Sequence, residues 1–145
     1  MAELDDDLKT LQRDARNAVR GAPGGIEERQ RRRLDGLVTH VRQRSPYFGE
    51  LYRGLPRTIT AITELPVTSK TELMGSFDEW VTDPRVTLDG VQRFAGDQAS
   101  AGSAFLGSYL VTTTSGTTGH VGYFVTEEFA FRVTRALGTR ERRMS

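Results

Sequence analysis

The sequence has 145 residues, the length of one modest domain with room for a single core. Hydrophobic residues make up 37% and charged residues 27%, which excludes wholesale disorder, and a formal net charge of +1 leaves no global field to attract nucleic acid or an anionic membrane. Cysteine is absent, the acidic start MAELDDDLKT does not read as a secretory leader, and no apolar run approaches the ~20 residues of a membrane span. A cytoplasmic protein that binds neither nucleic acid nor membrane is expected.

Leu4, Leu8, Leu11, Ala15 and Val19 recur at helical spacing and predict an amphipathic first helix. Gly21-Ala-Pro-Gly-Gly25 breaks it, so residues 1–25 form one segment and residues 26–145 the next. A second helix is predicted from Ile26 to Arg44, with Leu34, Leu37, Val38 and Val41 as its apolar stripe. Pro46 closes it, because a residue before proline avoids helical geometry. Ser45 to Thr68 reads as irregular. Ser69 and Glu72 form an S-x-x-E capping box that opens a helix through Trp80, ended by Asp83-Pro84. Leu88–Phe94 predicts another short helix, and Gly96–Gly107 a mobile loop of small residues.

The last third changes character. Ser108–Thr113 and Val121–Val125 are rich in strand formers. Thr126, followed by Glu127 and Glu128, supplies a capping hydroxyl and two acids for a helix whose apolar face holds Phe129, Val133 and Leu137. The local order is strand, loop, strand, helix, an α/β pattern.

The loop between the strands is the chemically suggestive part. A phosphate chain needs several donors converging without bulk between them. Glycine lets successive N–H groups curl inward, and Ser and Thr hydroxyls add donors that rotate to suit. Thr114, Ser115, Gly116, Thr117, Thr118 and Gly119 supply both ingredients in six consecutive residues. This is not a Walker A loop, which needs G-x-x-x-x-G-K-[ST]. By composition alone it fits a plain hairpin turn as well.

Thr113-Thr-Ser-Gly-Thr-Thr-Gly119 resembles the signature phosphate loop of adenylate-forming enzymes. Within them, the surroundings resemble the phenylacetate–CoA ligase and coenzyme F390 synthetase branch, including its capsule-biosynthesis relatives. Arg44-Ser-Pro-Tyr-Phe-Gly-Glu-Leu-Tyr52 is similar to the branch's segment after the helix. Leu65-Pro-Val-Thr-Ser-Lys-Thr-Glu-Leu73 is similar to its LP-x-T-x-K-x-x-L segment, and Gly119–Val125 resembles the strand leaving the loop. The likeness runs from about Leu34 to Leu137.

The resemblance implies a helical N-terminal segment leading into the first strands of an adenylate-forming large domain. It implies that Thr114, Ser115, Gly116, Thr117, Thr118 and Gly119 contact the phosphates of ATP, with Mg²⁺ in the complete enzyme. The substrates would be ATP and an organic acid, aromatic acids among them, with coenzyme A as acyl acceptor. The family's loop commonly continues with Pro-Lys, where this sequence has Val121 and Gly122. The family's adenine, ribose and catalytic-lysine segments come later than residue 145. An incomplete domain, inactive alone, is therefore expected, either truncated or one chain of a split ligase. A non-catalytic nucleotide- or partner-binding module is the alternative. Missing sheet neighbours would expose apolar surface near Tyr109, Val111, Tyr123 and Phe124, favouring self-association or pairing with the remainder.

The other chemistry-bearing residues take plainer readings. His40 and His120 lack ligand spacing for a metal. Lys70 reads as a surface residue on the first turn of its helix, and Phe77 and Trp80 as packing groups. Arg29, Arg31, Arg32 and Arg33, flanked by Glu27, Glu28 and Asp35, read as a solvated helix face.

Overall fold

Val38, buried in the C-terminal half of a long helix, organises the first half of the chain. The computed structural model describes residues 8–14, 17, 21, 24–114 and 121–138, with side chains described as far as Thr134. Residues 8–14 are helical (α1); Leu4, Ala15 and Val19 of the predicted stripe lie outside the described residues. Gly24, at φ 87°, turns the chain in the left-handed region that favours glycine and opens α2, Gly25–Arg44. Glu27 and Glu28 in its first turn and Arg42 and Arg44 in its last complement the helix dipole. Asp14 of α1 takes Arg29 of α2 at 2.5 Å and Arg33 at 3.6 Å, while Arg31 pairs with Glu28. Leu34, Val38 and Val41 turn inward as predicted, but Leu37 is 59% exposed. The segment α2 packs on is small, so the buried arc of the helix is narrower than its apolar stripe.

The stretch after α2 is more regular than its composition suggests. Ser45 accepts a hydrogen bond from the Phe48 N–H (3.2 Å) and caps α3, Pro46–Leu51, with Pro46 at the first helical position. The same proline that ends α2 begins α3. A single turn of 3₁₀ helix follows at Ile62–Glu64. Val38, Tyr52 and Ile59 form a buried cluster with Leu34, Val41, Phe48, Leu51, Leu55 and Leu65 around them. Arg42 fastens the loop below it, donating to the carbonyls of Tyr52, Leu55, Pro56 and Arg57 at 2.8 to 3.3 Å. Asp35 accepts the Ile59 N–H at 3.0 Å and sets that buried residue in place.

The capping box forms as read. Ser69 Oγ accepts from the Glu72 N–H, and Glu72 accepts from the Ser69 N–H at 2.7 Å, opening α4, Lys70–Gly75. The predicted helix through Trp80 is instead two. Ser76 closes α4 and precedes α5, Phe77–Trp80. Gly75-Ser76 is a weak helical pair, and the break turns Phe77 into the core with Trp80 against it, ring centroids 5.2 Å apart. Thr87 caps α6, Leu88–Gly96, which outruns the predicted Phe94 by two residues.

Gly96–Gly107 is not a simple loop. It contains a 3₁₀ turn, Gln98–Ser100, capped by Asp97, and delivers Phe105 into the second core. Phe105 also bridges to Tyr109, exchanging backbone hydrogen bonds of 2.8 and 2.9 Å. Burial of one aromatic outweighs the local preference of the glycines and serines around it.

The strands are β1, Tyr109–Thr114, and β2, Gly122–Glu127, a two-stranded antiparallel sheet. Val111 pairs with Val125 and Thr114 with Gly122. Tyr109, Val111, Tyr123 and Val125 face the second core of Phe77, Val81, Val86, Val91 and Phe105. The expected apolar exposure is thus corrected. Tyr109, Val111 and Tyr123 are half-buried under the helices, and of the four named only Phe124, 39% exposed, faces outward. Thr126 is likewise no helix cap. It pairs with Leu110, Glu127 pairs with Tyr109, and α7, Glu128–Gly138, starts where the partner strand ends. Phe129 and Val133 are half-buried on α7, and the Leu137 side chain lies outside the described ones. The described fold is a small α/β arrangement in which α4, α6 and α7 lie against a two-stranded sheet while α2 packs on α3. Ser45 Oγ joins its two clusters by donating to the Glu79 carbonyl at 3.1 Å.

Candidate functional site

The paired strands bring two small residues face to face at one end of the sheet. Thr114 closes β1 and Gly122 opens β2, and the Gly122 N–H donates to Thr114 Oγ1 at 3.2 Å. Gly122 is buried and has no room for a side chain. A Cβ there would stand 2.9 Å from Thr114 Oγ1, 3.1 Å from Lys70 Cδ and 3.1 Å from Phe124 Cε2. Of the expected phosphate contacts, Thr114 is therefore at the strand end, with its hydroxyl engaged by the opposite strand. Ser115, Gly116, Thr117, Thr118 and Gly119, with His120, lie outside the described residues. In sequence they connect Thr114 to Val121 and the start of β2.

Lys70 reaches the same place from a separate element. The capping box fixes the start of α4, and α4 lies against β2, where Met74 Sδ accepts the Tyr123 N–H at 3.4 Å. The aliphatic stem of Lys70 thereby crosses Gly122. The surface reading of Lys70 holds only in part: it is half-buried at the base of the loop. The signal available in the sequence was its place within Leu65–Leu73, since helical position alone gives no hint of contact across 52 residues of chain.

A second polar cluster lies at the other end of β1. The Tyr109 hydroxyl donates to Asp83 Oδ2 at 2.7 Å, and Arg85 donates to both Asp83 oxygens at 2.6 to 3.1 Å. Arg85 above all, with its own backbone N–H and the Tyr109 hydroxyl, holds the Asp83 carboxyl far below the usual carboxylate range. The hydrogen bond to Asp83 pushes the Tyr109 hydroxyl up. Both oxygens are occupied and the acid stays ionised, so the cluster locks the 83–86 turn to the sheet and is unsuited to proton transfer.

A groove of about 510 Å³ runs between Phe94–Ser103 and the edge of β1 at Leu110, Val111 and Thr113. It ends one residue short of Thr114. His40 is exposed, and among the described residues no three His, Asp or Glu side chains gather as metal ligands. Among the described residues no helix is long and apolar enough to cross a membrane. No family model matches the chain, and neither curated proteins nor solved structures give a significant match.

Proposed function

We propose that this chain is the N-terminal part of an adenylate-forming, carboxylate-activating ligase, and that residues 114–119 contact the phosphates of ATP. The observation that carries the reading is the run Thr113–Gly119 placed between two antiparallel strands whose ends, Thr114 and Gly122, are held together. Such an anchor lets a short Gly-, Ser- and Thr-rich connection present donors without side-chain bulk. The donor set fits a polyphosphate: hydroxyls at Thr114, Ser115, Thr117 and Thr118, two glycines, and a cationic side chain crossing the loop base. In the complete enzyme a carboxylate oxygen attacks the α-phosphorus of ATP, giving an acyl-AMP and pyrophosphate. The acyl group then passes to a thiol such as coenzyme A. Mg²⁺ neutralises phosphate charge as it arrives with the nucleotide.

Binding by the chain alone is expected to be weak, because affinity for a nucleotide comes from many contacts acting together. Titration with MgATP, followed on the backbone amides of Thr114 and Gly122, tests the reading. Saturable shifts that Gly116→Val abolishes are expected, with no carboxylate-dependent pyrophosphate exchange. Amides indifferent to ATP would refute the phosphate-loop assignment. Coding DNA downstream that carries no further ligase segments, in frame or in a neighbouring gene, would refute the assignment to a ligase.

A further inference from the structure

We propose that the outer edge of β1 is a self-association site, at which β1 of a second copy of the chain adds antiparallel through Val111 and Thr113. Residues 115–119 take no part in this pairing, and it requires no nucleotide.

In an antiparallel pair, successive residues turn their backbone N–H and C=O alternately toward the partner strand and away from it. The phase in β1 is fixed at both ends. Phe105 and Tyr109 exchange bonds of 2.8 and 2.9 Å on the side away from β2, whereas the next residue back, Ser108, accepts the Glu128 N–H at 3.0 Å. At the other end the Tyr123 N–H turns away from β1 to Met74 Sδ, and Tyr123 lies opposite Thr113. The odd-numbered residues of β1 therefore face outward. Phe105 satisfies Tyr109. Among the described residues, Val111 and Thr113 have no backbone partner on that side.

The two edges of the sheet differ. α4 lies against β2, and its Met74 takes an outward N–H there. The edge of β1 is bare. Residues 94–103 stand off from it across the groove of about 510 Å³, in a wall that includes Gly96, Ala101 and Gly102. Leu110-Val-Thr-Thr-Thr114 is made of strand formers and carries neither charge nor proline, the usual guards of an exposed edge. No like charges oppose the meeting of two such edges.

Phe105 also selects the register. A twofold axis through Thr112 sets Val111 opposite Thr113 of the second copy and Thr113 opposite its Val111. Each of these pairs exchanges both of its hydrogen bonds, so every open group on the edge is used. Moving the axis to Val111 would put Thr113 opposite Tyr109, whose outward groups Phe105 already holds. Moving it to Thr113 would carry Val111 past the strand end at Thr114. In the register that remains, Thr112 faces Thr112 across the axis with Cα atoms about 4.5 Å apart, and the two sheets join in the order β2–β1–β1–β2.

The chain contains no cysteine, so a single introduced thiol reports the register. Sedimentation velocity of the full chain should show a monomer–dimer equilibrium that shifts with concentration. Under mild oxidation Thr112→Cys should cross-link with itself, and Thr114→Cys with Leu110→Cys in a mixed sample, because those positions lie opposite each other. Thr114→Cys by itself should stay monomeric on a denaturing gel, since its two Cα atoms would be about 14 Å apart, beyond disulfide reach. Thr113→Pro deletes an outward N–H without touching the β1–β2 ladder and should weaken the dimer about tenfold. A parent chain that is monomeric at every concentration up to its solubility limit would overturn the proposal. So would equal cross-linking at positions 112 and 114, or a dimer that Thr113→Pro leaves untouched. The parent chain's sedimentation needs no variant, so a substitution that fails to fold does not blunt the test.

Discussion

Arg42→Met tests how the N-terminal half is held together. The guanidinium donates to four carbonyls of one turn: Pro56 at 2.8 Å, Arg57 at 3.0 Å, Tyr52 at 3.2 Å and Leu55 at 3.3 Å. That turn leads from the buried Tyr52 to the buried Ile59, so its shape decides whether both reach one cluster. A hydrogen bond to a charged group contributes about 1.5–3 kcal/mol when buried. The Pro56 and Arg57 bonds are exposed, and water replaces the lost donors there. The Tyr52 and Leu55 bonds are partly buried and long. Methionine keeps most of the stem packing, so the net loss should be about 2–3 kcal/mol, a large share of an ordinary domain's stability. Urea unfolding followed by fluorescence of Trp80, the sole tryptophan, measures it. Arg42→Lys should recover less than half, because one ammonium cannot span four acceptors. A loss below about 0.5 kcal/mol for Arg42→Met would refute the clamp.

Three further outcomes follow from the same contacts. The Asp83 carboxyl titrates below its ordinary 3.8, so its contribution to stability is complete above that value and disappears as the pH falls below it. Asp83→Asn should therefore flatten the acid limb of the stability curve between about pH 4 and pH 2, and an unchanged limb would sink the assignment. Gly122→Ala forces a Cβ into three contacts of 2.9 to 3.1 Å and should cost about 1–3 kcal/mol, with shifts at Thr114 and Lys70; an unaltered melting temperature would contradict it. Ser45→Ala removes the acceptor for the Phe48 N–H and the donor to the Glu79 carbonyl. A loss of about 1–2 kcal/mol is expected, with faster amide exchange at Phe48, and unchanged exchange would refute the cap.

Local signals in the sequence determined much of the secondary structure. The 3.6-residue stripe placed α2 and Pro46 ended it at Arg44, the S-x-x-E box placed the start of α4, and runs of strand formers placed β1 and β2. Each depends on residues within one or two turns of each other, so a linear reading captures it. The motif Thr113–Gly119 and the order of the segments before it were likewise open to inspection, and they carry the functional proposal.

Tertiary structure decided where those elements stop and which surfaces survive. β2 runs on through Thr126 and Glu127 because β1 offers partners as far as Tyr109, which a helix-start signal cannot anticipate. The Gly96–Gly107 stretch delivers Phe105 to the core because one buried ring outweighs a dozen flexible residues, and the helix through Trp80 breaks so that Phe77 can turn inward. The meeting of Lys70 with Gly122 and Thr114 belongs to the same class. It arises from helix–sheet packing between residues far apart in sequence, and such contacts are set by how faces fit, which no local window records.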